Sequence, residues 1–441
     1  MPADEVMGKN GVAVRTSGTS GDGFRSYEVY QRERVGQSTE KIKPRQLVSE
    51  AYRTDPYPVL GTLREHYPCY RDWLGNRYWI TRYDDVTSIF TDDANFETRS
   101  KRWFYGVPEY GRDFNSAVAV QRVEEEVCDT RAAEMTTRLI EALNANGGGN
   151  LATAFAAQLP LELLREMLAL PQDQADRFDH AFWRAQRGVG WDPRLQADGR
   201  AALGELETIV EQLVAKRRQD AGEDMISAML GEAEDLTARD VVATLLERDH
   251  ETLHGALANL WRRLLADAQA REAVGSDRRL MKLAYLETLR HSPPVLSARR
   301  FARHEVERFG RLLPEGALLV CSAAAANRDP RVFDAPDTFV VDRRDLCQRE
   351  PRGQYRADGL ATGIAFGLGK PSRHPAVPED RPRSRYAITR DTAVAASMAL
   401  LDAAPGIRLA RGHGDGEGAE PALAALTVGE MHTCWNLPVT V

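Results

Sequence analysis

The chain predicts a mainly α-helical fold with small β-sheets, an α+β domain running from residue 45 to residue 441. Three observations lead there. Between Val123 and Arg271 apolar residues recur at helical spacing almost without interruption. Strand-like runs gather near both ends and do not alternate with the helices. No internal repeat divides the chain, and its composition, 43% hydrophobic and 28% charged, is that of a globular protein.

Residues 1–44 are rich in Gly, Ser, Thr and charge and carry little apolar periodicity, so we expect a disordered N-terminal tail. LVSEAYRTDPYPVLGTLREHYP predicts a helix, a Pro-marked turn and a second helix. CYRDWLGNRYWITRYDDV predicts a hairpin of two aromatic-rich strands around Gly75-Asn76. A short helix capped by Asp84 or Asp85 should follow.

TRLIEALNA predicts a helix that stops at the Gly147-Gly148-Gly149 turn, and LATAFAAQLPLELLREMLALP a buried one. DPRLQADGRAALGELETIVEQLVAKRRQDA predicts a long amphipathic helix. LTARDVVATLLERDHETLHGALANLWRRLLADAQAREAV predicts a longer, central one. Strands are expected at SARRFARHEVE and GALLVCSAA. The end should hold a helix, DTAVAASMALLDAAPG, a Gly-rich loop and a strand around NLPVTV.

Composition excludes several functions. The net charge is −7 with no long basic run, which argues against a nucleic-acid groove. No run of about 18 apolar residues occurs, so no membrane-spanning helix is expected. The N-terminus has no charged-then-apolar signal pattern, so a cytoplasmic location is expected. Five scattered cysteines, none in a CxxC pair, read as reduced thiols, with Cys321 a small buried hydrophobe.

Several segments, in order, resemble the cytochrome P-450 haem-thiolate monooxygenases. Leu286-Glu-Thr-Leu-Arg290 resembles the ExxR helix, and Ala326-Asn-Arg-Asp-Pro330 with Val332-Phe333 resembles the AANRDPxVF segment. Pro336-Asp-Thr-Phe339 and Arg343 resemble the region that completes a cluster with Glu287 and Arg290. Asp249-His-Glu-Thr252 resembles the acid–alcohol step of the central helix, and Ala365-Phe-Gly-Leu-Gly369 the start of the haem loop. The resemblance covers residue 45 to the end.

The resemblance breaks where haem would be held. The ligand position reads Arg373, which cannot bind iron, with Pro371 and Pro375 at two other pattern positions. Arg248-Asp249 stands where the family has small residues over the porphyrin. Tyr110 and Phe114 replace a propionate-binding His and Arg, while Arg300 survives as a possible propionate partner. From these losses we expect no cofactor. A vacated haem pocket would be filled by Arg248, Arg373, Tyr110 and Arg300, the polar groups paired with one another and with water.

On that reading the protein is haem-free and either catalyses a non-oxidative step (cyclisation, rearrangement or hydrolysis) or assists biosynthesis of a bacterial natural product. Asp249, His250, Glu251 and Thr252 are the candidate catalytic groups, and Glu287, Arg290 and Arg343 are structural. The expected partner is a small natural-product intermediate. Three alternatives stand beside it. One is a haem-dependent monooxygenase with non-cysteine ligation, for which His374 is the nearest imidazole. Another is a zinc enzyme using His250 and His254 of the HETLH motif, with Glu251 as general base. The last is a partner that activates a glycosyltransferase.

Overall fold

The computed structural model describes residues 42–90, 92–190, 192–248, 250–343, 382–383, 385–410, 423, 425–428 and 431–441. A 3₁₀ turn, Pro44–Val48, leads into α1 (Glu50–Thr54) and α2 (Tyr57–His66). The hairpin β1 (Cys69–Asp72) and β2 (Arg77–Ile80) follows, antiparallel, with Cys69 opposite Ile80. Asn76 sits in its turn at φ 48°, a left-handed conformation that Asn tolerates.

The next helix, α3 (Tyr83–Phe90), starts earlier than expected, so Asp84 and Asp85 lie inside its first turn. Its capping carboxylate comes from far along the chain: Tyr83 N–H donates to Asp329 Oδ2 at 3.1 Å. Then come β3 (Phe96–Glu97), α4 (Lys101–Phe104) and α5 (Val118–Ala145). The chain leaves α5 through three glycines in the left-handed region, Gly147 to Gly149. A Cβ on Gly148 would stand 2.2 Å from Val439 O, so only glycine lets β4 (Gly149–Asn150) pair with the C-terminal strand.

A π-helical turn, Ala152–Ala156, opens into α6 (Gln158–Met167), followed by α7 (Ala175–Arg187) and α8 (Pro193–Gln219). Asp192 caps α8, accepting from the N–H groups of Arg194 and Leu195, with Pro193 at the first helical position. After α9 (Met225–Glu232), the single long central helix expected from the sequence is three: α10 (Ala238–Glu247), α11 (Glu251–Ala266) and α12 (Ala268–Ser276). The ExxR residues lie on α13 (Leu280–His291).

The remaining elements are β5 (Ala298–Ala302), β6 (Val306–Arg308), β7 (Arg311–Leu313), β8 (Leu318–Cys321), α14 (Ala323–Ala326), α15 (Arg385–Ala403) and β9 (Arg408–Leu409), then β10 (Ala425–Val428), β11 (Met431–Cys434) and β12 (Pro438–Thr440). A five-stranded sheet runs β1-β2-β8-β5-β3, with β2 and β8 parallel. A smaller sheet runs β4-β12-β9, and β10-β11 is a hairpin absent from the sequence expectation.

Helix α11 occupies the centre. Leu257, Leu260, Trp261 and Leu264 are fully buried on it. One side packs closely on β11, because Gly255 offers no Cβ to strike Pro294 or Met431. Asn259 then ties three elements together. Its amide donates to the carbonyls of Ser292 and His432, and its oxygen accepts from Cys434 N–H and the Thr433 hydroxyl.

Candidate functional site

The interruption between α10 and α11 is the feature around which the site is built. Nothing in Glu247-Arg248 breaks a helix by propensity, yet the chain leaves α10 at Arg248 in an extended conformation, φ −70° and ψ 142°. Breaking a helix orphans its last carbonyls. Here other elements satisfy them. Asn115 donates to Thr244 O at 2.8 Å, Gln186 to Leu245 O and Leu246 O at 3.1 and 3.2 Å, and Lys101 Nζ to Arg248 O at 2.9 Å.

Lys101 also bonds Gln186 Oε1 at 2.7 Å and both carboxylate oxygens of Glu251 at 3.0 and 3.2 Å. In return Glu247 caps α4, accepting from the backbone N–H groups of Lys101 and Arg102. One ammonium thus holds both sides of the break. The sequence offered no signal for this, because Lys101 and Glu251 lie 150 residues apart.

The sequence candidates do not converge on one point. His250 and His254 are buried, ring centroids 6.2 Å apart, in a box of aromatic rings. His250 packs edge-on against Phe182 and Trp183, and His254 packs against Trp183 and Trp435. Glu251 is turned to Lys101. Thr252, buried, lies about 200° around the helix from His250, on the opposite side. Asp249 lies outside the described residues.

The zinc reading loses its geometry here. The two imidazoles share a face, but among the described residues no group of three His, Cys, Asp or Glu side chains could hold a metal ion. Glu251 is engaged by a lysine instead of standing as a base between the histidines.

The polar groups assigned to a vacated pocket are also scattered. Arg248 pairs with Glu124 of α5 at 2.6 Å, and Arg385 at the start of α15 reaches the same carboxylate at 3.3 Å. Tyr110 donates its hydroxyl to Glu207 of α8 and lies under Arg239, near the first turn of α10. Arg248 closes that helix, about 13 Å farther along its axis. Arg300 is buried in β5 with its guanidinium 4.6 Å from the Phe90 ring centre. Arg373 lies outside the described residues, as does His374. Arg248 and Tyr110 therefore do not pair with each other.

Glu287, Arg290 and Arg343 meet in one buried cluster. Arg290 grips Glu287 with two bonds of 2.7 Å, and Arg343 Nε reaches Glu287 Oε1 at 3.0 Å. The guanidiniums then spend their remaining N–H groups on carbonyls of the segment after α14: Asn327, Asp334, Pro336 and Thr338.

A cleft of about 450 Å³ opens one turn beyond Trp183, at the C-terminal end of α7. Its walls include Leu47, Trp79, Val189, Leu195 and Leu296, with Arg299 among the polar groups. Neither the cleft nor the Trp183–Trp435 contact was legible in the sequence; both join segments distant along the chain.

Comparison with known proteins places this architecture. No family model matches the chain. It is 26% identical over 396 residues to the vitamin D(3) 25-hydroxylase of Pseudonocardia autotrophica, covering 80% of this chain and 93% of that one. It is 25% identical over 363 residues to the 6-deoxyerythronolide B hydroxylase of Saccharopolyspora erythraea, covering 74% and 86%. The solved structure of CalO2 shares the fold, with a TM-score of 0.69 and 24% identity over 89% of this chain and 98% of that one.

The chain belongs to the cytochrome P450 superfamily.

Membership corrects two expectations. The relatives are named as hydroxylases in a superfamily whose members bind haem, so neither the haem-free, non-oxidative role nor the absence of a cofactor stands. That expectation treated several losses as independent signs of one emptied pocket. The P450 fold observed here puts Tyr110 and Arg248 in different contacts, so they do not report on one space.

The described residues fit part of a haem. Arg300 offers a buried cation, against the Phe90 ring and donating to Arg299 O at 2.9 Å, and a guanidinium is the chemistry that takes up a carboxylate. A thiolate from the described cysteines does not fit. Cys69, Cys128, Cys321 and Cys434 are all buried, and burial pushes the first three up to about 12 and the fourth upward, so each keeps its proton. Among the described residues, no helix of this P450 is long and apolar enough to cross a membrane.

Acid should weaken the fold through its buried histidines. Burial pulls His254 down to about 3, His291 to about 2 and His432 to about 4, against about 6.5 in an unfolded chain. As pH falls the unfolded state takes up these protons first. The stability is therefore complete above about pH 6.5 and lost progressively below it. Going from pH 7.5 to pH 5 should cost about 2 kcal/mol for each histidine, partly opposed by Asp179, which burial raises to about 6. His254→Gln should remove about 2 kcal/mol of that loss in urea titrations. Equal losses in variant and parent would refute the assignment.

Proposed function

We propose that this P450 is a haem-dependent monooxygenase of small natural-product molecules, with a residue other than cysteine holding the iron. The observation that carries the reading is the cleft of about 450 Å³, whose walls include the rings of Tyr52 and Trp79 and the side chains of Leu47, Val189, Leu195 and Leu296. Its size suits a drug-sized ligand, and its lining offers an apolar floor together with the polar groups of Arg53, Arg77, Arg187 and Arg299. The hydroxylase relatives, one of them named for 6-deoxyerythronolide B, support the same substrate class.

Arg300 is the residue we assign to a haem carboxylate, and His374, next to the lost cysteine position, is our candidate ligand. Haem, when bound, supplies the chemistry of oxygen activation. The chain's own residues do the rest. Tyr52, Trp79 and the aliphatic walls of the cleft bind and orient the substrate and exclude water. Lys101 grips both oxygens of the Glu251 carboxylate and fixes the start of α11. Thr252 we assign as the hydroxyl that relays a proton there.

Absorption spectroscopy with iron analysis tests this directly. Protein produced with added haem precursor should show a Soret band and about one iron per chain. His374→Ala should diminish both. A colourless, iron-free product under those conditions would end the monooxygenase reading, and a spectrum unmoved by His374→Ala would end the ligand assignment.

A further inference from the structure

A second cavity, of about 620 Å³, opens beside the C-terminal half of α11, two turns beyond the histidines. Arg262 and Arg263 of α11 line it, together with Arg328, Ser292 and the two acids Asp55 and Asp337. It shares no lining residue with the cleft beside Trp183. None of its groups enters the chemistry described above.

The three guanidiniums are unevenly compensated. Arg328 lies 3.4 Å from the Tyr57 ring centre, donates to His291 O at 2.6 Å and pairs with Asp337 at 3.2 Å. Asp337 is 72% exposed at the rim. Asp55 accepts from Tyr57 N–H at 3.2 Å. Arg263 donates only to the Ser292 hydroxyl, at 3.2 and 3.0 Å. Arg262, adjacent to it and half-buried, has neither a hydrogen bond nor an ion pair among the described residues. Two neighbouring cations thus face one cavity with no carboxylate between them.

The surroundings keep that charge in place. Burial, and next the charge of Arg262, lowers Arg263 to about 10, so it stays protonated at neutral pH. His291 and His432, on the same walls, are neutral there and add no charge. Two positive charges without a counter-ion among the described residues are balanced by a dianion. Guanidinium N–H forks match phosphate oxygens two at a time. The volume exceeds what a bare ion needs and lies in the range of small-molecule sites.

We infer that this cavity binds a phosphate-bearing small molecule, its dianionic phosphate held by Arg262 and Arg263. Calorimetric titration of the full chain with pyrophosphate, against chloride at matched ionic strength, tests it. Pyrophosphate should bind one to one with a dissociation constant below about 1 mM, and inorganic phosphate more weakly. Arg262→Gln should weaken binding by at least about tenfold. Its unfolding midpoint without ligand should stay level or rise, because the lost guanidinium bonds no protein group. Arg263→Gln should weaken binding in the same way and serves as an independent check. Heat or stabilisation equal to that from chloride, or affinity unchanged in both variants, would overturn the site.

Discussion

Replacing Glu287 with glutamine should cost about 3–5 kcal/mol of stability, because it strands two buried guanidiniums at once. Glu287 and Arg290 are fully buried, and Arg343 nearly so. One carboxylate pairs with both and also accepts from Val340 N–H at 3.0 Å. Glutamine keeps the shape and removes the charge. It leaves two buried cations facing an amide that offers one acceptor where there were two.

The damage should spread. Arg290 and Arg343 together bond the carbonyls of Asp334, Pro336 and Thr338, so this cluster is a main tie for the segment entering residue 343, beside the bonds of His291 and Arg328 to Asp337. Urea unfolding followed by tryptophan fluorescence gives the loss, and hydrogen exchange across residues 334–343 should rise with it. A variant within about 0.5 kcal/mol of the parent would mean that the cluster adds nothing net, as happens for some buried ion networks.

Lys101→Met should cost about 2–4 kcal/mol, less than Glu287→Gln because Lys101 keeps some contact with water. Its side chain is 21% exposed against 10% for Glu251. The substitution leaves the Glu251 carboxylate without its cation and the carbonyl of Arg248 without its donor. Opening should centre on residues 245–252, where hydrogen exchange reads it. The double variant Lys101→Met/Glu251→Gln separates the causes. Removing both charges should recover part of the loss, since the cost lies mainly in stranding one partner. Additive losses would show that the ammonium acts on the carbonyl and not on the carboxylate.

Much of the architecture was legible because it rests on local rules. The hairpin at Gly75-Asn76, the stop at Gly147 and the Asp192-Pro193 start of α8 each follow from what one or two residues permit the backbone to do. The charged ExxR pair sits three residues apart on one helix face, so spacing alone brings Glu287 to Arg290.

The misses share one cause. The cap of α3 comes from Asp329, 246 residues away, so nearby acids were chosen wrongly. The break before α11 has no local signature, because Asn115, Gln186 and Lys101 satisfy its carbonyls from three separate segments. The assumption that Tyr110 and Arg248 share a pocket failed for the same reason: motif order does not give side-chain direction.

Taken alone, the amino-acid order determined the class of fold, the superfamily resemblance and the residues of the buried ion cluster. Those depend on periodicity, turn chemistry and short spacings, which the chain carries in itself. Only the folded chain decided where the central helix parts, which way Glu251 and Thr252 face, and that Arg262 and Arg263 share a cavity with no ion pair of their own among the described residues. Each of these is set by groups brought together across a hundred residues or more, where burial makes an unmet charge or carbonyl too costly to leave.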